Sequence, residues 1–160
     1  MRDASSSGDC VRYRMYMDLC CFNRPYDDQS SELIHLETEG KLIIQEAIRK
    51  GDIDLVWSFI LMFENSANPN QTVAKVIANW QSLAVLTIGP HDHVLLTAQT
   101  LTSTHHLDPK DALHAACAIQ GNCNVFLTVD KRLTKRLNIS GLIKAMNPLD
   151  FLITVEEPDE

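Results

Sequence analysis

The sequence predicts an α/β fold, a parallel sheet with helices on both faces. Three observations predict it. Short apolar runs fall at 14–18, 52–58, 84–88 and 125–129 without strict alternation, as suits strands buried on both sides. The segments between them carry helical start and stop signals, and strands that alternate with helices pair in parallel. Acids recur where the apolar runs end, the edge at which open α/β sheets bind their ligands.

Arg14-Met15-Tyr16-Met17 is the first strand, with Asp18 at its carboxyl end and a loop closed by Pro25. Asp27-Asp28-Gln29-Ser30-Ser31 is a cap-rich entry to a helix running to about Lys50, where Leu33, Leu36, Gly40, Ile43 and Ala47 predict the buried face. Gly51 stops it. Asp52–Ser58 is the second strand and runs directly into a short helix carrying Glu64 among Ile60, Leu61, Met62 and Phe63. Asn68-Pro69-Asn70 breaks that helix. A helix over 71–83 leads to a third strand at 84–88, and Pro90 opens another helix to about Ser103. Asp108 and Pro109 supply an N-cap and a first helical residue for a helix ending at Gly121. Val125–Val129 is the fourth strand, ending at Asp130; Lys131–Leu137 is a short basic helix. An edge strand at 142–146 and a last turn at 148–152 complete the chain.

With 160 residues, 45% hydrophobic and 22% charged, the chain is expected to form one globular domain over 12–153. A polar, serine-rich tail is expected at 1–11 and an acidic one at 154–160. No apolar run reaches the roughly 18 residues that cross a bilayer. The five cysteines are odd in number and form no C-x-x-C pair, which predicts reduced thiols in the cytoplasm. A net charge of -7 gives no general attraction to nucleic acid. A polyanionic substrate would need local cations or metal ions.

Four acids merit a chemical reading, and each has a plain structural one beside it. Asp18 can start a turn, Glu64 can be an exposed helix acid, Asp111 can favour a helix N-terminus, and Asp130 can cap the next helix. Together they sit at strand ends or on helices that begin at that same edge. Carboxylates gathered there repel one another unless a cation holds them ionised. Mg²⁺ or Mn²⁺ suits such oxygens and keeps water for a substrate phosphate, which points to phosphodiester hydrolysis.

These pieces resemble a PIN domain. The matching stretches are Met17-Asp18-Leu19-Cys20-Cys21-Phe22, Glu64 after the second strand, Asp111-Ala112-Leu113-His114-Ala115-Ala116, Phe126-Leu127-Thr128-Val129-Asp130-Lys131-Arg132-Leu133, and the closing Asn147-Pro148-Leu149-Asp150-Phe151-Leu152. The resemblance implies a three-layer α/β/α sandwich with about five parallel strands. It implies a Mg²⁺- or Mn²⁺-dependent endoribonuclease cutting single-stranded RNA, with Asp18, Glu64, Asp111 and Asp130 as metal ligands and catalytic groups. It is similar to toxins of prokaryotic toxin–antitoxin pairs, which implies an antitoxin partner and often a homodimer. Many members have Ser, Thr or Asn two residues after the first acid; here that position is Cys20, with Asn23 as a stand-in.

Lys131 and Arg132, at the head of the basic helix, and Arg24 are candidates to hold substrate phosphates. His114, one helical turn from Asp111, is a supporting candidate for substrate contact or packing. His91-x-His93 and His105-His106 lack cysteine partners at zinc spacing and are expected at the surface; Trp57 and Trp80 are expected in the core. The alternative function is a degenerate domain that binds RNA or a protein without cutting, favoured by Cys20. Receiver or phosphatase chemistry would need an acid at that same position.

Overall fold

The computed structural model describes residues 12–156; the tail expected at 1–11 and residues 157–160 of the one expected at 154–160 lie outside them, while 154–156 belong to the last helix. Strand β1 (Arg14–Met17) is followed by α1 (Leu19–Asn23), a 3-10 turn (Arg24–Tyr26) and α2 (Glu32–Arg49). Next come β2 (Asp54–Ser58), α3 (Phe59–Ser66), α4 (Gln71–Ala78), a 3-10 turn (Asn79–Leu83) and β3 (Leu86–Ile88). The chain continues through α5 (Asp92–His105), α6 (Pro109–Gln120), β4 (Val125–Leu127), α7 (Lys131–Ser140), β5 (Ala145–Met146) and α8 (Pro148–Glu156).

All strand pairs are parallel and the sheet order is β3-β2-β1-β4-β5. The chain therefore builds outward from β1 on one side, then returns to β1's other side. That reversal between β1 and β4 opens a crevice at the carboxyl ends of the strands. Tyr16 lies opposite Val56 on one side and Phe126 on the other, and all three are fully buried. The expected three-layer α/β/α architecture with five parallel strands is present.

Three local expectations are corrected. The segment after Asp18 is a helix rather than a loop, because Asp18 caps it: Oδ1 accepts from the Leu19 N–H at 2.7 Å. Helix α2 buries Glu37, Lys41, Ile44 and Ile48 rather than the stripe through Leu33, Leu36 and Ile43, which are 45%, 46% and 57% exposed. Polar residues took the inner face because each has a partner there. Glu37 meets Arg24 at 2.9 Å, and the Lys41 ammonium lies over the Phe22 and Trp80 rings. Gly40 still has a packing role, since a Cβ there would stand 3.3 Å from Leu149 on α8. The expected helix over 71–83 divides at Asn79, where Trp80 turns into the core and Ser82 Oγ donates to the Asn79 carbonyl at 2.8 Å. Trp57 and Trp80 are core residues as expected.

Candidate metal centre

The crevice at the β1/β4 reversal holds a cavity of about 650 Å³, and Asp18, Glu64, Asp111 and Asp130 all line it. Each acid arrives from a different element. Asp18 directly follows β1, and Asp130 stands three residues past β4. Glu64 is carried by α3, which starts without a linker from β2, and Asp111 lies in the first turn of α6. Two plain readings are also realised. Asp18 caps α1, and Asp130 Oδ1 caps α7 by accepting from Leu133 N–H at 3.1 Å. Asp108 occupies the N-cap position of α6, but its side chain makes no capping bond.

Thr128 ties the two strand-end acids together. Its hydroxyl donates to Asp18 Oδ2 at 3.1 Å and accepts from the Asp130 backbone N–H at 3.1 Å. Cys20 reaches the same oxygen only with a thiol at 3.5 Å. Thr128 thus supplies the hydroxyl that Cys20 lacks. Asn23 lines the cavity but does not replace it, since its Oδ1 accepts from Asn68 at 3.3 Å. The signal for Thr128 was present in the sequence: it stands two residues before Asp130.

Glu64 is fixed from below. His114, 1% exposed, places Nε2 at 2.6 Å from Glu64 Oε1 and Nδ1 at 2.6 Å from the Tyr16 hydroxyl. The Tyr16 oxygen lies 2.6 Å from Ser58 Oγ. With a neutral imidazole this row is satisfied when Ser58 donates to Tyr16, Tyr16 to Nδ1, and Nε2–H to Glu64. The hydrogen bond from His114 holds Glu64 below the usual carboxylate range. Asp111 moves the other way: burial, then the charges of Asp18 and Asp130, push its carboxyl up to about 6. Crowding of this kind is relieved by a bound cation.

Among the described residues, one group of three has ligand atoms within 4.8 Å of one another: Asp18, Glu64 and His114. Asp111 and Asp130 face the same cavity from outside that tight cluster. The histidines at 91, 93, 105 and 106 form no such group. Of the expected cations, Arg24 is spent on Glu37 and Asp27 (2.9 and 3.0 Å) and does not line the cavity. Arg132 faces a smaller hollow shared with Asp111 and Asp130, while Lys131 lines neither. The cation at the cavity is instead Lys110, 3.9 Å from Glu64 Oε2. Its place beside Asp111 was the signal for it.

A profile of the PIN domain matches residues 30–137, more than half of the chain. The chain belongs to the PIN domain family. That family is generally one of nucleases. The matched span contains Glu64, Asp111 and Asp130; the fold adds Asp18 to them. No curated protein sequence matches this PIN domain significantly. Its fold is similar to FitAcB from Neisseria gonorrhoeae (15% identity, TM-score 0.55, covering 84% of this chain and 98% of that one). It is also similar to VapBC2 from Rickettsia felis bound to a DNA fragment from their promoter (12%, 0.56, 84% and 98%). A third similar fold is VapBC-1 from nontypeable Haemophilus influenzae (16%, 0.53, 85% and 98%).

Proposed function

We propose that this PIN domain is a Mg²⁺- or Mn²⁺-dependent endoribonuclease that cuts single-stranded RNA. The observation that carries it is that Asp18, Glu64, Asp111 and Asp130 line one cavity at the sheet's reversal point. The donor set fits a hard divalent cation: carboxylate oxygens, crowded enough to raise Asp111, with Asp18 and Glu64 close together and Asp111 and Asp130 facing the same cavity to hold it. Such a cation, when bound, lowers the pKa of water and stabilises charge on a phosphate.

The chain's own groups do the remaining work. Thr128 and the Leu19 N–H hold Asp18 in one rotamer, and His114 holds Glu64. Lys110 stands where it can meet a phosphate oxygen. A carboxylate of the cavity takes a proton from the attacking water as its oxygen bonds to phosphorus; the P–O bond to the leaving oxygen breaks, and that oxygen takes a proton from solvent. Thr128 also restores support to Asp18, which favours cutting over a non-cutting domain.

Four free cysteines among the described residues support a cytoplasmic location, and no described helix is long and apolar enough to cross a membrane. An antitoxin-like protein partner or a second copy of the chain would cover the exposed stripe Leu33, Leu36 and Ile43 on α2. The test is cleavage of single-stranded RNA with Mg²⁺, by wild type and by Asp18→Asn and Asp111→Asn. Cleavage that is lost in both variants, and with a chelator, supports the proposal; full activity in both variants overturns it.

A further inference from the structure

Phe63 is 63% exposed at the rim of the acidic cavity, and Tyr26 is 50% exposed beside it. The sequence pattern around Phe63 predicts burial, and folding gains little from leaving an aromatic ring in water. Phe63 follows Met62 on α3 and precedes Glu64, so it projects next to the candidate ligand rather than into the core. Tyr26 lines a second hollow of about 360 Å³. Leu19, Asn23, Glu64 and Ala67 line both spaces, which therefore adjoin.

The second hollow's chemistry is not that of a phosphate channel. The charged residues lining the second hollow are Asp27 and Glu64, both acidic. No lysine or arginine lines it to hold a sugar-phosphate backbone. What the hollow does offer is a ring face and amide groups. Asn68 donates to Asn23 Oδ1, and Asn70 Oδ1 accepts from the Val73 N–H. These bonds leave the side-chain N–H groups of Asn23 and Asn70 to meet an acceptor on a base edge. The arginines lie elsewhere. Arg132 and Arg136, with Asp108, line the hollow that shares Asp111 and Asp130 with the acidic cavity, and that hollow has no residue in common with the Tyr26 hollow. The cavity therefore stands between a flank that carries two arginines and a flank that carries the rings.

We propose that the Tyr26 hollow and the adjoining Phe63 rim of the acidic cavity form a base-binding subsite, in which Phe63 and Tyr26 stack on unpaired nucleobases adjoining the phosphate held at the acids. Phosphates on one side meet α7; bases on the other meet the rings. Stacking is indifferent to base identity and needs an unpaired base, because a duplex has no free base faces. The fold thus carries a physical source of single-strand preference. This deepens the proposed nuclease activity and takes the position of the scissile phosphate from it.

The experiment compares wild type, Phe63→Ala, Tyr26→Ala and Phe63→Tyr on a short fluorescent single-stranded oligoribonucleotide and on its duplex. Binding is read by anisotropy with Ca²⁺ across a salt series, and cleavage with Mg²⁺. Each alanine variant is expected to weaken single-strand binding about tenfold, with Phe63→Tyr restoring it. KM is expected to rise with little change in kcat, and the salt dependence of binding should stay as in wild type, because no phosphate contact is removed. Single-strand affinity unchanged in both alanine variants overturns the subsite and leaves the rings to a protein partner. Binding that shows the ring dependence in a protein that cuts nothing supports the subsite while the nuclease reading fails. Cleavage with a KM insensitive to both rings does the reverse.

Discussion

His114 Nε2 lies 2.6 Å from Glu64 Oε1, at the end of a buried row that continues through Tyr16 to Ser58. The row anchors the imidazole at its far nitrogen and so sets which way Glu64 is held. His114→Leu removes both hydrogen bonds at similar volume. Groups that orient a metal ligand are worth roughly 10–100-fold in affinity, and Mn²⁺ binding should fall by that much. Tyr16→Phe should cost less, since Nε2 keeps its bond to Glu64. Titration calorimetry checks both; unchanged affinity in His114→Leu would mean Glu64 needs no such support.

Asp111 gives the site a pH dependence. Its carboxyl sits at about 6 in the folded protein against an ordinary 3.8, because of burial and then its acidic neighbours. Between those values the folded state holds more proton than the unfolded one, so metal-free stability falls as pH rises through that window. A cation must displace that proton. Mn²⁺ affinity should therefore drop as pH is lowered through about 6, and Asp111→Asn should lose that part of the slope. Titrations on either side of pH 6 decide it.

Thr128 and Cys20 compete for the same carboxylate oxygen, and Thr128 has the better geometry. Thr128→Val should destabilise the fold by roughly 1–3 kcal/mol by leaving Asp18 Oδ2 with only the Cys20 thiol and the Asp130 N–H without its partner. Cys20→Ser should change stability by less than about 0.5 kcal/mol. Urea unfolding of the two variants tests the ranking, and the reverse order would assign the support to Cys20.

Lys41 is 3% exposed on α2, and burial pulls its ammonium down to about 7. The unfolded chain keeps that proton up to an ordinary 10.5. Stability should therefore rise with pH between about 7 and about 10, by roughly 1 kcal/mol per pH unit from this group. Lys41→Met should be more stable than wild type near neutral pH and should lose that slope. Chemical unfolding at a series of pH values checks the sign.

Three of the four acids were legible from a pattern that local sequence carries: Asp18 and Asp130 after apolar strand runs, Asp111 behind Asp108-Pro109. Their convergence follows from a parallel sheet, which puts the carboxyl ends of its strands along one edge. The α2 face was misread for a physical reason. Periodicity assumes that polar residues face water, whereas Glu37 and Lys41 are buried against Arg24 and two aromatic rings, contacts made by residues distant in sequence. Arg24 was misplaced by the same pairing, since a cation already held by two carboxylates has little left for phosphate. The exposure of Phe63 was hidden likewise: an apolar run does not reveal which of its members the fold leaves outside.

The most direct test of the account is a calorimetric titration of wild type and Asp18→Asn with Mn²⁺ near neutral pH. The account predicts saturable binding in wild type, with affinity at least about 100-fold weaker once the Asp18 carboxylate is lost. Equal binding in both proteins, or no saturable binding in either, would contradict it.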